Sequence, residues 1–259
     1  MISSSLHLVR QGQGPAVMLS HALGCDLSMW DGVAAVLEPH FTVLRYDHRG
    51  HGSSASPAGP YTMEMLADDA AGLIRNHVDG PVHFVGLSMG GMTAQALAAR
   101  YPELVRSIVV ANSALFYDEA AKAMWQARMD LVRDKGVVAI AEGAMQRWFT
   151  PEFRADHLRG GADRVAALRA RLEKLSAKPY AASCEAVANI DFRVSNGAIA
   201  CPALVIAGTR DEATPVAMSE AIAASIPGAR LATLDAAHLS AVEQPVAFAG
   251  LVESFISRL

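Results

Sequence analysis

Cysteine is scarce in this chain: Cys25, Cys184 and Cys201 are the only three in 259 residues, far apart and without a C-x-x-C pair. An odd, scattered set offers neither a disulfide framework nor zinc spacing. Unpaired thiols suit a reducing compartment, so a cytoplasmic protein is expected. An excess of one charge is also missing. The 22 Lys and Arg against 26 Asp and Glu leave a net charge of −4, and the basic residues form no stripe of the kind nucleic acid requires. No apolar run approaches the roughly 18 residues that span a bilayer. Met1-Ile2-Ser3-Ser4-Ser5 lacks the cationic start and apolar core of a signal peptide. Repeats and low-complexity tracts are absent too. These absences exclude nucleic acid and membrane as expected partners, leave a small-molecule substrate, and leave a homo-oligomer open.

What is present is apolar and alternating. With 52% hydrophobic residues the chain can bury a full core as one α/β domain with an insertion. Strands are expected at Ala16–Ser20, Thr42–Tyr46, Val82–Leu87, Ser107–Ala111, Ala203–Ala207 and Arg230–Leu234. Helices are expected at Ser28–Leu37, Met63–His77, Met89–Arg100, Pro215–Ser225 and Pro245–Leu259. Runs such as Ile108-Val109-Val110 are continuously apolar, as in a mostly parallel central sheet with helices on both faces. About 90 residues separate Ala111 from Ala203, where a βαβ unit needs only about 30 or more. Helical spacing recurs there at Glu119–Arg133, Gly136–Phe149, Arg164–Leu175 and Pro179–Asn189. The expectation is a helical cap (116–191) inserted into a core made of 1–115 and 192–259.

The segment Val82-His83-Phe84-Val85-Gly86-Leu87-Ser88-Met89-Gly90 runs a strand into G-x-S-x-G and then a helix. A serine on that strained turn exposes its hydroxyl at the sheet's tip. A hydroxyl attacks poorly until a base takes its proton, and the partners of such an elbow follow in the order Ser, Asp or Glu, His. Asp211 lies just past the strand ending in Ala207, and His238 just past the one ending in Leu234. Ser88, Asp211 and His238 are therefore expected as nucleophile, orienting acid and base; Glu212 and Asp235 are the alternative acids. The oxyanion donors are expected to be the backbone N–H groups of Met89 and of Leu23, in the loop after the first expected strand. Cys25 reads as a small packed residue. His48-Arg49-Gly50-His51 reads as a tight loop holding the sheet edge rather than a metal site, since no further ligands fall at zinc spacing. No metal and no cofactor is implied.

These motifs are joined by Leu23-Gly24-Cys25-Asp26-Leu27-Ser28-Met29-Trp30, Leu44-Arg45-Tyr46-Asp47-His48-Arg49-Gly50-His51-Gly52, Gly59-Pro60-Tyr61-Thr62, Arg147-Trp148-Phe149-Thr150-Pro151 and Asp235-Ala236-Ala237-His238-Leu239-Ser240. On them the chain resembles the β-ketoadipate (3-oxoadipate) enol-lactonases, bacterial members of the α/β-hydrolase fold in aromatic catabolism. The likeness covers most of the chain. The elbow and strand-end motifs are common to the fold; the Trp-Phe-Thr-Pro and Gly-Pro-Tyr-Thr stretches are narrower. His21-Ala22 and Cys25 depart from the family's pattern beside the oxyanion loop and bear on the substrate. The resemblance implies opening of a small enol-lactone through an acyl-enzyme. The alternatives are a carboxylesterase or lactonase with another small ester, and a non-catalytic binding protein on the same scaffold. Such a lactone carries a free carboxylate, which calls for a local cation. Arg128 and Arg147 are the candidates, with Trp125 and Trp148 beside them either lining the pocket or packing the cap.

Overall fold

The computed structural model describes residues 6–259; the signal-peptide reading of Met1–Ser5 lies outside the described residues. Seven strands form one sheet in the order β1-β3-β2-β4-β5-β6-β7. They are β1 Leu8–Gln11, β2 Ala16–Ser20, β3 Thr42–Tyr46, β4 Val82–Leu87, β5 Val105–Ala111, β6 Ala203–Gly208 and β7 Arg230–Leu234. All neighbours run parallel except β1, which pairs antiparallel with β3, Leu8 opposite Tyr46. Every residue of β3, β4 and β6 is buried, the state a continuous apolar run requires.

β1 was not expected from the sequence. Its four residues, Leu-Val-Arg-Gln, are half-exposed or exposed, so no apolar run marks them. Its presence makes β3 an inner strand, and it corrects the expectation that the His48–His51 loop holds a sheet edge. β5 begins two residues earlier than expected, at Val105, and the first expected helix opens as a 3₁₀ turn, Leu27–Trp30, before α1 Asp31–Leu37.

α2 (Met63–His77) and α3 (Met89–Arg100) pack together, and α3 lies on β2, β4 and β5. Thr62 caps α2 by accepting from Met65 N–H, and Leu66, Ala70, Leu73 and Ile74 form its buried stripe. After β5 the chain leaves the sheet at Phe116 and returns at Asp191, the two paired by an antiparallel bridge. Between them lie α4 Glu119–Lys135, α5 Val138–Trp148, α6 Pro151–Ala155, α7 Gly161–Glu173 and α8 Ala177–Ala188. The five-residue α6 was not expected, although Thr150 caps it and Pro151 opens it. Beyond β6, α9 Val216–Ser225 lies on β6 and β7, and α10 Ser240–Glu243 leads into α11 Pro245–Ile256, which packs on α1. Among the described residues no helix is long and apolar enough to cross a membrane.

The junction of β4 with α3 is closed by contact between backbones. A Cβ on Gly90 would stand 2.0 Å from the Ser20 carbonyl oxygen, and one on Gly86 2.0 Å from the Gly90 carbonyl. Neither neighbour is a flexible side chain. Gly90→Ala should cost about 1–3 kcal/mol, the usual range for overpacking, read as a thermal midpoint lowered by about 2–12 °C. A circular-dichroism melt unchanged to within about a degree would show that the junction is slack.

Candidate active site

Ser88 closes β4 and caps α3 with φ +56° and ψ −115°. Among the described residues it and Asn112 (φ +45°) are the two non-glycine positions of positive φ. Such a conformation costs on the order of 1–3 kcal/mol and persists only when its surroundings hold it. Here Ser88 N–H donates to Ala111 O (2.9 Å), Met92 N–H to Ser88 O (3.0 Å), and Ser113 Oγ to the same carbonyl (2.9 Å). The side chain stays half-exposed at the positive end of the α3 dipole.

Parallel strands β4, β5, β6 and β7 are consecutive in the sheet, so the turns after them share one edge. Asp211 follows β6 and His238 follows β7; His238 Nδ1 lies 2.9 Å from Asp211 Oδ2. With Nδ1 committed to the carboxylate, Nε2 is the nitrogen left for a reacting group. Asp211 Oδ1 accepts from Ala213 N–H (2.8 Å) and Thr214 N–H (2.9 Å); Oδ2 accepts from Thr214 Oγ1 (2.7 Å) and Asn112 Nδ2 (2.9 Å). The alternative acids stand apart. Glu212 and Asp235 are both exposed, and Asp235 instead accepts from Thr209. Asn112 and Thr214 were not foreseen, although an Asn directly after the β5 apolar run suits a positive-φ turn.

The loop after β2 meets this edge from the other side. Ala22 N–H points to Met29 Sδ (3.4 Å), Gly24 N–H donates to His51 Nε2 (3.1 Å) and Cys25 N–H to Ala22 O (3.1 Å). Leu23 N–H has no partner among the described residues, nor has Met89 N–H at the start of α3. The loop rests on His21, His48 and His51, whose rings contact one another. His21 Nδ1 donates to Ala22 O (2.8 Å) while its Nε2 accepts from His48 N–H (2.9 Å). Burial lowers all three imidazole pKa values, His51 to about 3, so they act as neutral hydrogen-bonding groups. The His48–His51 segment therefore sits beneath the Leu23 loop. Among the described residues no group of three His, Cys, Asp or Glu could hold a metal ion. Burial pushes the Cys25 thiol well above its ordinary range, which keeps it protonated and inert.

The helices after β5 close the site. At Gly24 (φ +81°) a Cβ would stand 2.7 Å from Leu172, 3.2 Å from Trp148 and 3.5 Å from Tyr180, so these side chains press on the loop where only glycine fits. Trp148 thus stands against the loop after β2 and is also core, only 6% exposed. The Arg128 guanidinium carbon lies over two rings, 5.3 Å from the centroid of Trp125 and 5.7 Å from that of Tyr180. Trp125 meets Tyr117 edge-on at 5.9 Å, and Tyr117 feels the charges of both Asp211 and Arg128. Arg147 is exposed overall but partly desolvated. Desolvation first, then the charge of Arg128, lower its pKa; Tyr180 and Glu212 act the other way. Arg45, Arg49, Arg169 and Arg210 each find a carboxylate; among the described residues Arg128 and Arg147 find none. Neither tyrosine was foreseen: Tyr180, in a helical segment, reads as core, and Tyr117 lies in the loop before α4 with no motif to mark it.

Burial raises the Asp211 pKa, but the His238 charge, the His238 hydrogen bond and the donors from Thr214 and Asn112 outweigh it. The result is about 2, against an ordinary 3.8. Because the folded value lies below the unfolded one, the carboxylate stabilises the fold above pH about 4. That contribution, on the order of 2 kcal/mol, is lost as the pH falls toward 2. Asp211→Asn lacks this part of the acid sensitivity. Its deficit in urea unfolding free energy should shrink by about 1–2 kcal/mol between pH 6 and pH 2.5; a deficit constant with pH would refute the assignment of the shift to this carboxylate.

A family model described as "alpha/beta hydrolase fold" matches residues 15–245. The chain is 41% identical over 249 residues to 3-oxoadipate enol-lactonase 2 of Acinetobacter baylyi, covering 96% of this chain and 91% of that one. It is 32% identical over 247 residues to 3-oxoadipate enol-lactonase 1 of the same organism, covering 95% and 90%. The crystal structure of the enol-lactonase from Burkholderia xenovorans LB400 superposes with a TM-score of 0.92 at 38% identity, covering 97% of this chain and 96% of that one. Likeness of this degree runs along nearly the whole of each chain: the protein belongs to the 3-oxoadipate enol-lactonase family of the alpha/beta hydrolase fold.

Proposed function

We propose that this protein is a hydrolase that opens 3-oxoadipate enol-lactone to 3-oxoadipate through an acyl-enzyme, a step in the catabolism of aromatic compounds. The observation that carries the reading is the His238–Asp211 pair at 2.9 Å on the sheet edge that also bears the strained Ser88 turn. His238 Nε2 takes the Ser88 proton as Oγ attacks the ring carbonyl. The tetrahedral oxyanion is held by Leu23 N–H and Met89 N–H, both without a protein partner. The ring C–O bond then breaks, His238 returns the proton to the leaving oxygen, and the enol so formed tautomerises to the ketone. A water deprotonated by His238 attacks the acyl carbonyl, Ser88 Oγ leaves and takes the proton back, and the diacid is released. Asp211 keeps Nδ1 protonated and stabilises the imidazolium in both halves.

The five helices α4–α8 act as a cap (116–191) over a core of 1–115 and 192–259, and the substrate is an anion. Its free carboxylate is received by Arg128, with Arg147 adding charge nearby. Trp125 supports the Arg128 guanidinium and Trp148 walls the acyl pocket. Support comes from Arg128 and Arg147, neighbours that make no ion pair among the described residues, in a protein of net charge −4, and from the partial burial of both guanidiniums. Three unpaired cysteines favour action in the cytoplasm.

Ser88→Ala should lower kcat by about 10⁶-fold, as loss of a triad nucleophile does, and a fluorophosphonate should label the wild type at Ser88 alone. A variant keeping a tenth of the activity would end the nucleophile assignment. Recognition of the anion is tested with mono-p-nitrophenyl adipate against p-nitrophenyl hexanoate, equal in length and differing in the terminal carboxylate. Arg128→Met should lower kcat/KM for the adipate ester roughly 30- to 150-fold, the worth of a charge-assisted bond, and leave the hexanoate ester unchanged. Arg147→Met should show a smaller effect of the same kind. Equal losses on both esters would make these arginines structural; no loss on either would return the protein to a general small-ester hydrolase.

A further inference from the structure

Tyr180 lies on α8, fully buried, and among the described residues its hydroxyl makes no hydrogen bond of good geometry, with only the Arg128 guanidinium and the weakly accepting Cys184 thiol close by. The Arg128 Nε, also buried, makes none either. The two groups are neighbours: the guanidinium stands over the tyrosine ring at 5.7 Å, and the phenol lies beside Arg128 and Cys184. One edge of the ring presses on the Leu23–Gly24 loop. The same neighbourhood holds Arg147, which feels both Arg128 and Tyr180, and Tyr117, which feels both Arg128 and Asp211. Two unpaired donors of different kinds are thus buried side by side, between the oxyanion loop and the turn that carries the acid.

A buried donor without an acceptor is destabilising, whereas replacing it by an apolar group of the same shape is nearly neutral or stabilising. A phenylalanine would pack against Gly24 as well as the tyrosine ring does. A thiol is a weak acceptor and the contact lacks good geometry, so the hydroxyl adds little to the fold as it stands, and an acceptor that arrives with the ligand accounts for it. A carboxylate has two oxygens and only accepts. One oxygen suits a guanidinium N–H and the other a phenol O–H. Burial raises the Tyr180 pKa above its ordinary value, against the pull of Arg128, so the phenol remains a donor over the working pH range.

We propose that Tyr180 is a specificity-determining residue whose hydroxyl donates the second hydrogen bond to the substrate carboxylate, opposite Arg128. The inference rests on the anionic-substrate reading above. It explains discrimination better than charge alone does. A cation attracts any anion, but a buried phenol left unpaired by a neutral acyl chain penalises that chain, so the site selects against the wrong substrate as well as for the right one.

The test is Tyr180→Phe beside Arg128→Met, each assayed on mono-p-nitrophenyl adipate and p-nitrophenyl hexanoate, with thermal midpoints measured with and without saturating adipate. Tyr180→Phe should lower kcat/KM on the adipate ester about 10- to 100-fold, chiefly through KM, as one hydrogen bond to a charged group does. Turnover of the hexanoate ester should be unchanged or faster. Without ligand its midpoint should equal or exceed that of the wild type, and the rise caused by adipate should shrink. Equal loss on both esters together with a lower midpoint would make the hydroxyl structural and overturn the proposal. Selective loss in Arg128→Met with none in Tyr180→Phe would overturn it while leaving the anionic reading intact. Selectivity in neither variant would remove the anionic reading and the proposal with it.

Discussion

The catalytic edge depends on one side-chain amide. Asn112, at the end of β5, donates from Nδ2 to Asp211 Oδ2 (2.9 Å) and to Ala237 O (3.3 Å), and accepts at Oδ1 from Ser240 Oγ (2.6 Å). Its own N–H donates to Ile206 O (2.9 Å). Asp211 follows β6, His238 follows β7 and Ser88 follows β4, and β5 stands between β4 and β6. A residue at the end of β5 is therefore the one that can reach the acid, the chain just before the base and the residues just after it at once. Asn112 does so from a left-handed backbone, φ +45°, which asparagine tolerates better than most residues. Next to it, Ser113 bonds the Ser88 carbonyl. Three catalytic loops are thus fastened to the tip of one strand, which is the preorganisation that acyl transfer requires.

Electrostatics divide the site into neutral and charged parts. Beneath the Leu23 loop three imidazoles remain neutral through burial and mutual proximity, so they hold backbone groups without adding charge near a developing oxyanion. On the opposite side Asp211 remains ionised because four donors besides His238 N–H serve its two oxygens. A buried charge so fully bonded is tolerable, whereas a bare one is not. In the proposed mechanism Asp211 can therefore stay charged while His238 cycles between neutral and cationic.

The sheet, the strained turn at Ser88 and the Asp211–His238 pair were legible because their signals are local. β2, β3, β4 and β7 have the bounds expected from unbroken apolar or β-branched runs, and α2 and α3 begin and end where caps and elbow glycines indicate. The pairing of Asp211 with His238 could be expected because each residue follows a strand and their order follows from the fold. β1 was illegible because a short, half-exposed edge strand has no apolar run. The supporting residues were illegible for another reason. Asn112 meets Asp211 across 99 positions and Gly24 meets His51 across 27; a lone asparagine or histidine carries no mark of so distant a partner. Tyr180 is the extreme case, since only its burial together with its lack of a partner distinguishes it from ordinary core.

Recognition and chemistry are also joined mechanically. Leu239 N–H, the residue after the base, donates to Trp148 O (3.0 Å). Glu243, on α10 beyond it, accepts from Thr150 N–H (2.6 Å) and Thr150 Oγ1 (3.3 Å). The stretch Arg147–Thr150 thus supplies two anchors for the loop that holds His238, and in the proposed function also a cation and a pocket wall. Burial raises the Glu243 pKa while the Thr150 and Ala237 amides oppose it, so this carboxylate depends on the cap for its donors as the cap depends on it. A displacement of the Trp148–Thr150 segment would then move the His238 loop or break these bonds. Substrate binding far from the carbonyl can thereby influence the bond that breaks, because the two ends of the pocket share one hydrogen-bonded body.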